Sequence, residues 1–382
     1  MSASIRALAR VLLALGLVGC EGIGLPVVGE RPLGPSMPDD ACFAVSCEGA
    51  LAPHAPRWMP TAELGVASSP CPARRSETLS LHARPETLDL RCTDATLQVE
   101  QPFTLDLRGV RLTGARLDVS STVPGTVLLA GEIDAAELHV HGPIEVRMEG
   151  GAIGASRLVL DVDDGARPPR LELDAVVVTD SVLAAAEASF LAHGSVLSRA
   201  HVSAEELTLE VSSCTDGTLR ADRLSLLDAT VMHSDLDVEV LVAAAGELDG
   251  VDVTRCTSVT LAVLDVLHTR IAGCLEPLEL VDVDVDGCRL EGDVRGRARI
   301  RRSALEGERV VLEDSRLTLT ALCGVASLDV STTSVECPSC EPTAPAEICG
   351  ASARVEPYCP GYESAPCQGQ PRPRATDPLV AP

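Results

Sequence analysis

The stretch VDVDVDG, from Val281 to Gly287, alternates valine with aspartate and ends in glycine. In a β-strand successive side chains point to opposite faces, so the valines would be buried and the aspartates would face water. Aspartates at every second position followed by glycine also open the spacing of a calcium-binding EF-hand loop. The choice between these two structures decides whether the chain is a scaffold or a metal-binding protein.

The strand is the better prediction for this stretch. The segment from Asp282 to Asp293 matches the acidic positions and the glycine of an EF-hand, but the preceding LELV has the alternation of a strand and not the pattern of a helix. Arg289 also stands where such a loop carries a hydrophobic residue. We therefore expect the three valines to point inward, the three aspartates to point outward and Gly287 to make a turn.

Outward aspartates that stack on acidic neighbours repel each other. Asp282, Asp284 and Asp286 are therefore candidate ligands for a surface calcium ion, and no other cofactor is expected. Arginines of a following repeat could neutralise the same aspartates instead. The candidate arginines are Arg295, Arg297, Arg299 and Arg301.

Short apolar-x-apolar steps recur between about residues 79 and 330, with polar or glycine-containing turns between them. A period of two predicts strands with one buried face, and recurrence along the chain predicts an array of stacked units. The intervals between the clearest steps are 17, 14, 21, 19 and 20 residues. These steps are Leu207/Leu209, Leu224/Leu226, Val238/Val240, Val259/Leu261, Leu278/Leu280 and Ala298/Ile300.

A finer repeat lies in TLDLRGVRLTGARLDV, where Leu107, Leu112 and Leu117 are five residues apart. A second apolar or small residue stands two positions before each of these leucines. Over about three units the segment resembles the pentapeptide-repeat family, whose members form a square right-handed β-helix. The resemblance implies a solenoid and says little about activity.

These patterns predict an all-β protein, a right-handed parallel β-helix (β-solenoid) with cysteine-rich terminal caps. Stacked aliphatic side chains fill the interior of such a fold, which agrees with an aromatic content of only 2%. At about 18 residues per coil, thirteen or fourteen coils would give a length of about 65 Å. The alanine-rich segment from Ser181 to Leu197 has helical propensity, and we expect it to form an irregular coil of the solenoid.

The first twenty residues contain two arginines, Arg6 and Arg10, followed by an apolar run and then by Leu17-Val18-Gly19-Cys20. This is the organisation of an export signal. The last four residues resemble the lipobox of bacterial lipoproteins, which implies cleavage before Cys20 and lipid attachment (palmitate among the acyl chains) to its thiol. Glu21 is not the aspartate that often retains such proteins at the inner membrane, so outer-membrane delivery is expected. The alternative is an ordinary secretory signal.

The domain organisation follows from these features. We expect a lipoprotein signal peptide at 1–19, a flexible tether at 20–41, a cysteine-bearing N-terminal cap at 42–78, the β-solenoid at 79–330, a cysteine-rich C-terminal cap at 331–367 and a disordered tail at 368–382. The tether and the tail are rich in glycine or proline without periodicity.

Fifteen cysteines in an exported chain indicate disulfides more than metal ligands. If Cys20 carries lipid, fourteen remain, and full pairing would need at least one bridge between the body and the C-terminal group. Cys323 to Cys337 is the nearest candidate. Cys337-Pro-Ser-Cys340 has the spacing of a zinc half-site or a redox pair, but export favours structural disulfides. The C-terminal disulfide candidates are Cys323, Cys337, Cys340, Cys349, Cys359 and Cys367.

Composition excludes several functions. All 31 basic residues are arginine, so phosphate-loop and Schiff-base lysines are absent, and the net charge of −25 makes nucleic acid an unlikely partner. We find no GxSxG, HExxH or dinucleotide-binding signature. His139 and His141 lie on one face of a predicted strand, but two histidines do not make a zinc site.

We therefore expect a non-enzymatic, lipid-anchored envelope β-solenoid that serves as a structural or protein-docking surface. One alternative is a polysaccharide lyase or hydrolase, because right-handed β-helix enzymes resemble this architecture and use outward aspartates with calcium or arginine. Asp282, Asp284, Asp286 and Arg289 would then be the first candidates. Against it, Trp58, the single tryptophan, lies outside the repeats. An adhesin-like binding module is the other alternative, and the oligomeric state is open.

Overall fold

The structure is a computed structural model that describes residues 71–79, 88–162, 167–318 and, near the C-terminus, 320–323, 325, 327–331, 334–336, 347–349 and 354–356. The predicted signal peptide, tether and tail, and most of both predicted caps, lie outside these residues. So do Cys20, Cys337, Cys340, Cys359 and Cys367.

The described chain consists of β-strands and turns, and no helix occurs in it. The strands are β1 (Arg75–Thr78), β2 (Thr93–Val99), β3 (Phe103–Arg108), β4 (Leu112–Thr113), β5 (Arg116–Ser121), β6 (Gly125–Asp134), β7 (Glu137–His141), β8 (Ile144–Gly154), β9 (Arg157–Asp161), β10 (Arg170–Thr179), β11 (Val182–His193), β12 (Val196–Ser198), β13 (His201–Glu210), β14 (Ser213–Thr215), β15 (Thr218–Met232), β16 (Asp235–Asp249), β17 (Asp252–Thr254), β18 (Ser258–Ala262), β19 (Asp265–Leu267), β20 (Arg270–Ile271), β21 (Leu278–Asp286), β22 (Arg289–Glu291), β23 (Val294–Arg301), β24 (Ala304–Glu306), β25 (Arg309–Glu313), β26 (Arg316–Thr318), β27 (Ala321–Cys323), β28 (Ser327–Ser331), β29 (Ser334–Glu336), β30 (Glu347–Cys349) and β31 (Arg354–Glu356).

The strands stack in parallel as a β-solenoid of about 13 coils, which confirms the predicted fold class. Each coil adds one segment to each of three columns of strands. In one coil, β5 lies in the first column, the start of β6 in the second and the end of β6 in the third. We call the bends after these segments the first, second and third corners. The ladder includes β1 in the predicted N-terminal cap and β30 and β31 in the predicted C-terminal cap. Right-handedness remains a prediction.

The three columns correct the square shape that the pentapeptide resemblance implies. Leu107, Leu112 and Leu117 lie on β3, β4 and β5, which belong to the second, third and first columns, and all three are buried as expected. Five-residue spacing therefore carries the chain around three sides, and the remaining length of each coil goes into the first corner.

The register also corrects two of the proposed repeat steps. Leu224 pairs with Leu241, so the step after Leu224/Leu226 is Leu241/Ala243, and Val238 belongs to the first column. Ala298 pairs with Val283 and not with a residue of the Leu278/Leu280 step. Successive coils differ in length, from 15 residues between Arg289 and its partner on β24 to 25 between Arg157 and its partner on β11.

Aliphatic side chains fill the solenoid interior along its length. Leu207, Leu224, Leu241 and Val259 occupy one inward position on successive coils, and each is at most 1% exposed. Burial of each such side chain contributes about 1.5–3 kcal/mol, and only stacking against neighbouring coils achieves it.

The third corner uses a residue in the left-handed conformation on coil after coil. Ala155, Asp180, Arg199, Asp216 and His233 have φ between 46° and 53° there. The strain is offset because each of these residues donates its backbone N–H to a carbonyl of the next coil, at 2.8–3.1 Å. A buried hydroxyl often follows, as at Ser181, whose Oγ accepts from the Ser156 N–H at 3.1 Å and donates to the Thr179 carbonyl at 2.7 Å.

The alanine-rich segment expected to be irregular is the strand Val182–His193, and its register shifts between Ala185 and Ser189. This shift is the irregularity of that coil. The strand is stabilised by its parallel neighbours on both sides, which overrides the helical propensity of its alanines.

Cysteine pairing is less complete than the even count allowed. Disulfides join Cys71 to Cys92 and Cys256 to Cys274, with Cα–Cα distances of 5.5 and 4.4 Å. Cys214 and Cys288 are free, fully buried thiols, so the even count does not correspond to full pairing. Strands β27 and β30 contain Cys323 and Cys349. That each forms a disulfide, with Cys337 as the nearest candidate partner of Cys323, remains a prediction.

Candidate functional site

The aspartate run lies on β21 and crosses the second corner. Val283 and Val285 are buried as predicted, but Val281 is exposed, which corrects the continuous alternation. The reason is that Asp282 has φ 56° and makes the corner, where the register shifts between Val281 and Val283. Val281 therefore ends the second column, while Asp284 and Asp286 lie on the third.

Arginines of the next coil neutralise these aspartates. Strand β23 pairs with β21 so that Arg299 is opposite Asp284, with Nη1 and Oδ2 3.6 Å apart. Arg297 contacts Asp282, and the Asp286 carboxylate receives Arg302 Nε at 2.8 Å. The same coil also places Arg295 against Glu279 and Arg301 near Asp286.

Arginines of the following coil therefore neutralise this acidic run, which was the alternative to a calcium ion. Among the described residues there is no group of three or more His, Cys, Asp or Glu side chains arranged to hold a metal ion. Calcium binding by Asp282, Asp284 and Asp286 remains a prediction. Arg289, the other candidate for an enzyme, lies on the first column and contacts Glu291 and Glu306 instead of these aspartates.

The two histidines of LHVHG lie on one face of a strand of the first column, as predicted, and both are exposed. His139 lies between acids of the coils on either side, with Nδ1 3.8 Å from Asp118 and Nε2 3.8 Å from Asp161. His193, His233 and His268 have similar carboxylate neighbours across coils. Carboxylate neighbours across coils thus recur at histidines of the first column, the end of the second column and the third corner.

The described surface carries shallow depressions on different sides of the solenoid. One of about 450 Å³ lies at the first corner beside Pro124 and Pro143, and one of about 220 Å³ lies over the first column beside His139. A third, of about 360 Å³, lies at the second corner between Asp284 and Arg299. In the part of the chain that the structure describes, these depressions and their polar groups thus lie on different sides of the solenoid.

Carboxylate–arginine pairs also set the ionisation of the acids. The pKa of Asp180 and the pKa of Asp106 are both below the usual range, because each carboxylate accepts hydrogen bonds from an arginine, Arg199 and Arg108 respectively. A general acid at neutral pH needs the opposite shift, a raised carboxyl pKa. These carboxylates act as fixed charges.

One feature of the surface is not evident from the sequence. On five successive coils the outward residues of the third column are all uncharged, and we call this region the neutral strip. Before it lies Asp134, and after it lie Glu247 and Asp249. The neutral strip consists of Ala152, Gly154, Val177, Thr179, Val196, Ser198, Ser213, Thr215, Thr230 and Met232.

Comparison with known proteins adds no identity: no family model, curated protein or solved structure matches this chain. The described residues contain no helix long and apolar enough to span a membrane.

Proposed function

We propose that this chain is a non-enzymatic β-solenoid that is anchored to the outer membrane through a lipid on Cys20 and serves as a structural or protein-docking surface of the cell envelope. The lipobox-like Leu17-Val18-Gly19-Cys20 supports the anchor. Acyl chains contribute about 0.8 kcal/mol for each methylene group buried, so more than one chain holds a soluble body firmly at a bilayer.

The observation that carries the docking role is the distribution of charge. Acids and arginines pair across neighbouring coils from Arg74–Asp94 near the first coil to Arg302–Asp286 near the last. An active site instead gathers its ionisable groups around one position and shifts their pKa values apart. Charges that neutralise each other in place stabilise a surface and leave none of these groups free for catalysis.

The neutral strip supplies a place where a protein can dock. An interface core excludes charged residues, because a buried charge must be paired to offset its desolvation. The chain has a net charge of −25, but the outward residues of the third column are uncharged on the five coils of the neutral strip, which meets this requirement. Envelope proteins fit as partners, whereas the acidic surface repels nucleic acid.

The anchor is tested by expressing the full chain and its Cys20→Ala variant in a bacterial host. We expect the wild-type protein in the outer-membrane fraction with an acylated Cys20 detected by mass spectrometry, and the variant in the soluble fraction or unprocessed. A wild-type chain that is secreted without acyl groups would contradict the anchor.

The non-enzymatic role is tested with the purified full chain on a panel of acidic polysaccharides, with and without calcium. We expect no release of reducing ends or unsaturated sugars. Turnover that Asp284→Asn abolishes and Asp118→Asn leaves intact would establish the polysaccharide lyase or hydrolase instead. Specific binding without turnover would favour the adhesin-like module.

A further inference from the structure

The neutral strip is partly apolar. Val177 and Val196 are 44% and 41% exposed, and at its edge Val211 and Leu227 are 54% and 39% exposed. Parallel register keeps these side chains in rows about 4.8 Å apart. Removing apolar side chains from water is favourable, so these adjoining exposed side chains favour an interaction site.

Charged residues follow one long edge of the neutral strip in alternating order. At the third corner of four successive coils stand Asp180, Arg199, Asp216 and His233. Arg199 donates to Asp180 through Nε and Nη2 at 2.6 Å, and His233 Nδ1 lies 3.8 Å from Asp216 Oδ1. The column therefore reads acid, base, acid, base.

The opposite edge repeats this order at its centre. At the end of the second column His193 pairs with Glu210 of the next coil, with Nδ1 and Oε2 3.5 Å apart. On the coils before and after them stand Asp174 and Leu227, and the exposed Asp228 follows Leu227 at the second corner. Both edges thus change from base to acid between the same two coils, those of Arg199 and Asp216.

We propose that the neutral strip is the interface with a second copy of this chain, packed face to face and antiparallel about a two-fold axis midway between the coils of Arg199 and Asp216. That axis places Arg199 opposite Asp216 of the second copy and Asp180 opposite its His233. On the other edge it places His193 opposite Glu210, which is favourable. At the end of that edge it places Asp174 opposite Leu227 and Asp228, which is an unfavourable acid–acid approach. The interface is isologous, so every contact occurs twice. The inference rests on the proposed docking role and names its partner.

A parallel pair, with both solenoids running in the same direction, would bring like charges together. An axis along the solenoid would pack each coil against the same coil of the second copy, with the third corner opposite the second. Asp216 would then approach Glu210, and Asp180 would approach Asp174. Like charges in contact are destabilising, so charge complementarity selects the antiparallel pair.

The size of the neutral strip sets the strength of the association. About this axis four of the five coils of the neutral strip face each other, whereas the coil of Ala152 and Gly154 faces the acidic coil of Glu247 and Asp249. Four coils span about 19 Å, and one column with its corners is about 15 Å wide, so a pair buries about 600 Å² in total. Stable interfaces bury about 1,200–2,000 Å². We therefore expect a reversible dimer that forms at about 0.1 mM and above, and that is favoured where anchoring raises the local concentration.

Two charge variants test the arrangement directly in analytical ultracentrifugation of the purified full chain. In Arg199→Asp, the antiparallel pair would hold two acid–acid contacts, and in Asp216→Arg it would hold two arginine–arginine contacts. Each variant alone should associate at least tenfold more weakly than wild type. An equimolar mixture should recover association, because in the mixed pair the new aspartate of the first variant faces the new arginine of the second.

The neutral strip itself is tested with Val196→Arg, which should abolish the dimer. Val159→Arg, at an outward valine of the first column, is the matched control and should leave the dimer intact. Circular dichroism confirms that each variant is folded.

Three results would overturn the proposal: a wild-type chain that stays monomeric to about 1 mM, a mixture that associates no better than the single variants, or a strip that binds only a different envelope protein. All three would leave the lipid anchor and the lack of turnover intact, so they are distinguishable from failure of the proposed function.

Discussion

Asp180 and Arg199 occupy the same position in the third corner of successive coils, and their side chains form two hydrogen bonds of 2.6 Å. Both residues have left-handed backbones, with φ of 49° and 48°. Because the corner repeats the same backbone geometry, side chains far apart in sequence stack with fixed spacing. Charge pairs and the neutral strip are both consequences of that stacking.

The first prediction concerns this pair. Asp180→Asn should lower the free energy of unfolding at pH 7 by about 0.5 kcal/mol, a small value because both side chains are more than two-fifths exposed and solvent screens them. Urea denaturation at low salt measures the change. Ser203→Ala, at an outward position of the first column, is the control and should be neutral.

The pH dependence of the same variant follows from the pKa of Asp180, which its hydrogen bonds to Arg199 lower in the folded protein. A lowered carboxyl pKa stabilises the fold above the unfolded value of about 3.9, and the contribution disappears as pH falls through the folded pKa. Wild type and Asp180→Asn should therefore differ at pH 7 and converge in strong acid. A difference that grows on acidification would contradict the assignment.

A second prediction concerns stacked acids whose carboxylates form no ion pair with the described residues. Glu205, Asp222 and Glu239 occupy equivalent outward positions of successive coils, and the described residues provide no hydrogen bond or ion pair to their carboxylates. Like charges in register repel, so Asp222→Asn should raise the free energy of unfolding by about 0.5 kcal/mol in low salt. The gain should shrink at about 1 M salt, where screening is nearly complete. An equal gain at both salt concentrations would assign the effect to something other than repulsion.

A third prediction separates the two buried thiols. Cys288 Sγ lies in the corner position that serine often fills, accepting from the Thr269 N–H at 3.4 Å and donating to the Asp286 carbonyl at 3.3 Å. Cys288→Ser should therefore cost less than about 0.5 kcal/mol, because the hydroxyl can make the same hydrogen bonds. Cys214 lies on the buried face of the third column, where its Sγ is 3.8 Å from Ser234 Oγ. The shorter C–O bond of a serine would place the hydroxyl farther from this partner, so Cys214→Ser should cost about 1–2 kcal/mol. Urea denaturation measures both.

The thiols also report on burial. Desolvation raises the pKa of Cys214 and of Cys288 to about 12, so both remain protonated at pH 8. Neither should react with iodoacetamide in the folded protein, and both should react in urea. Rapid labelling of either thiol without denaturant would contradict its position in the interior.

Much of the architecture is predictable from the sequence, because alternation identifies the buried face of each strand. Leu105, Leu107 and Leu112 point inward as their spacing indicates. The pairing register is less predictable. The strand Asp235–Asp249 passes through all three columns without an interruption. The sequence therefore does not show that the chain passes from the first column to the second after Val238.

The positions of the corner residues are also difficult to predict from the sequence. Arginine, histidine, aspartate and even valine take the left-handed conformation that sequence analysis assigns to glycine. Hydrogen bonds between coils stabilise that conformation and are not visible locally. Because Asp282 is a left-handed corner residue, Val281 is exposed. The neutral strip combines residues from five coils of unequal length, so no single segment of the sequence reveals it.

The stacking register is the claim on which the charge pairs, the neutral strip and the dimer all depend, and distances between spin labels test it most directly. Labels carried by genetically encoded ketone residues at positions 118 and 220 are five coils apart, and labels at 118 and 254 are seven coils apart. At about 4.8 Å per coil, double electron–electron resonance should give about 24 and 34 Å for the two pairs. Equal distances, or a shorter distance for the second pair, would contradict the solenoid.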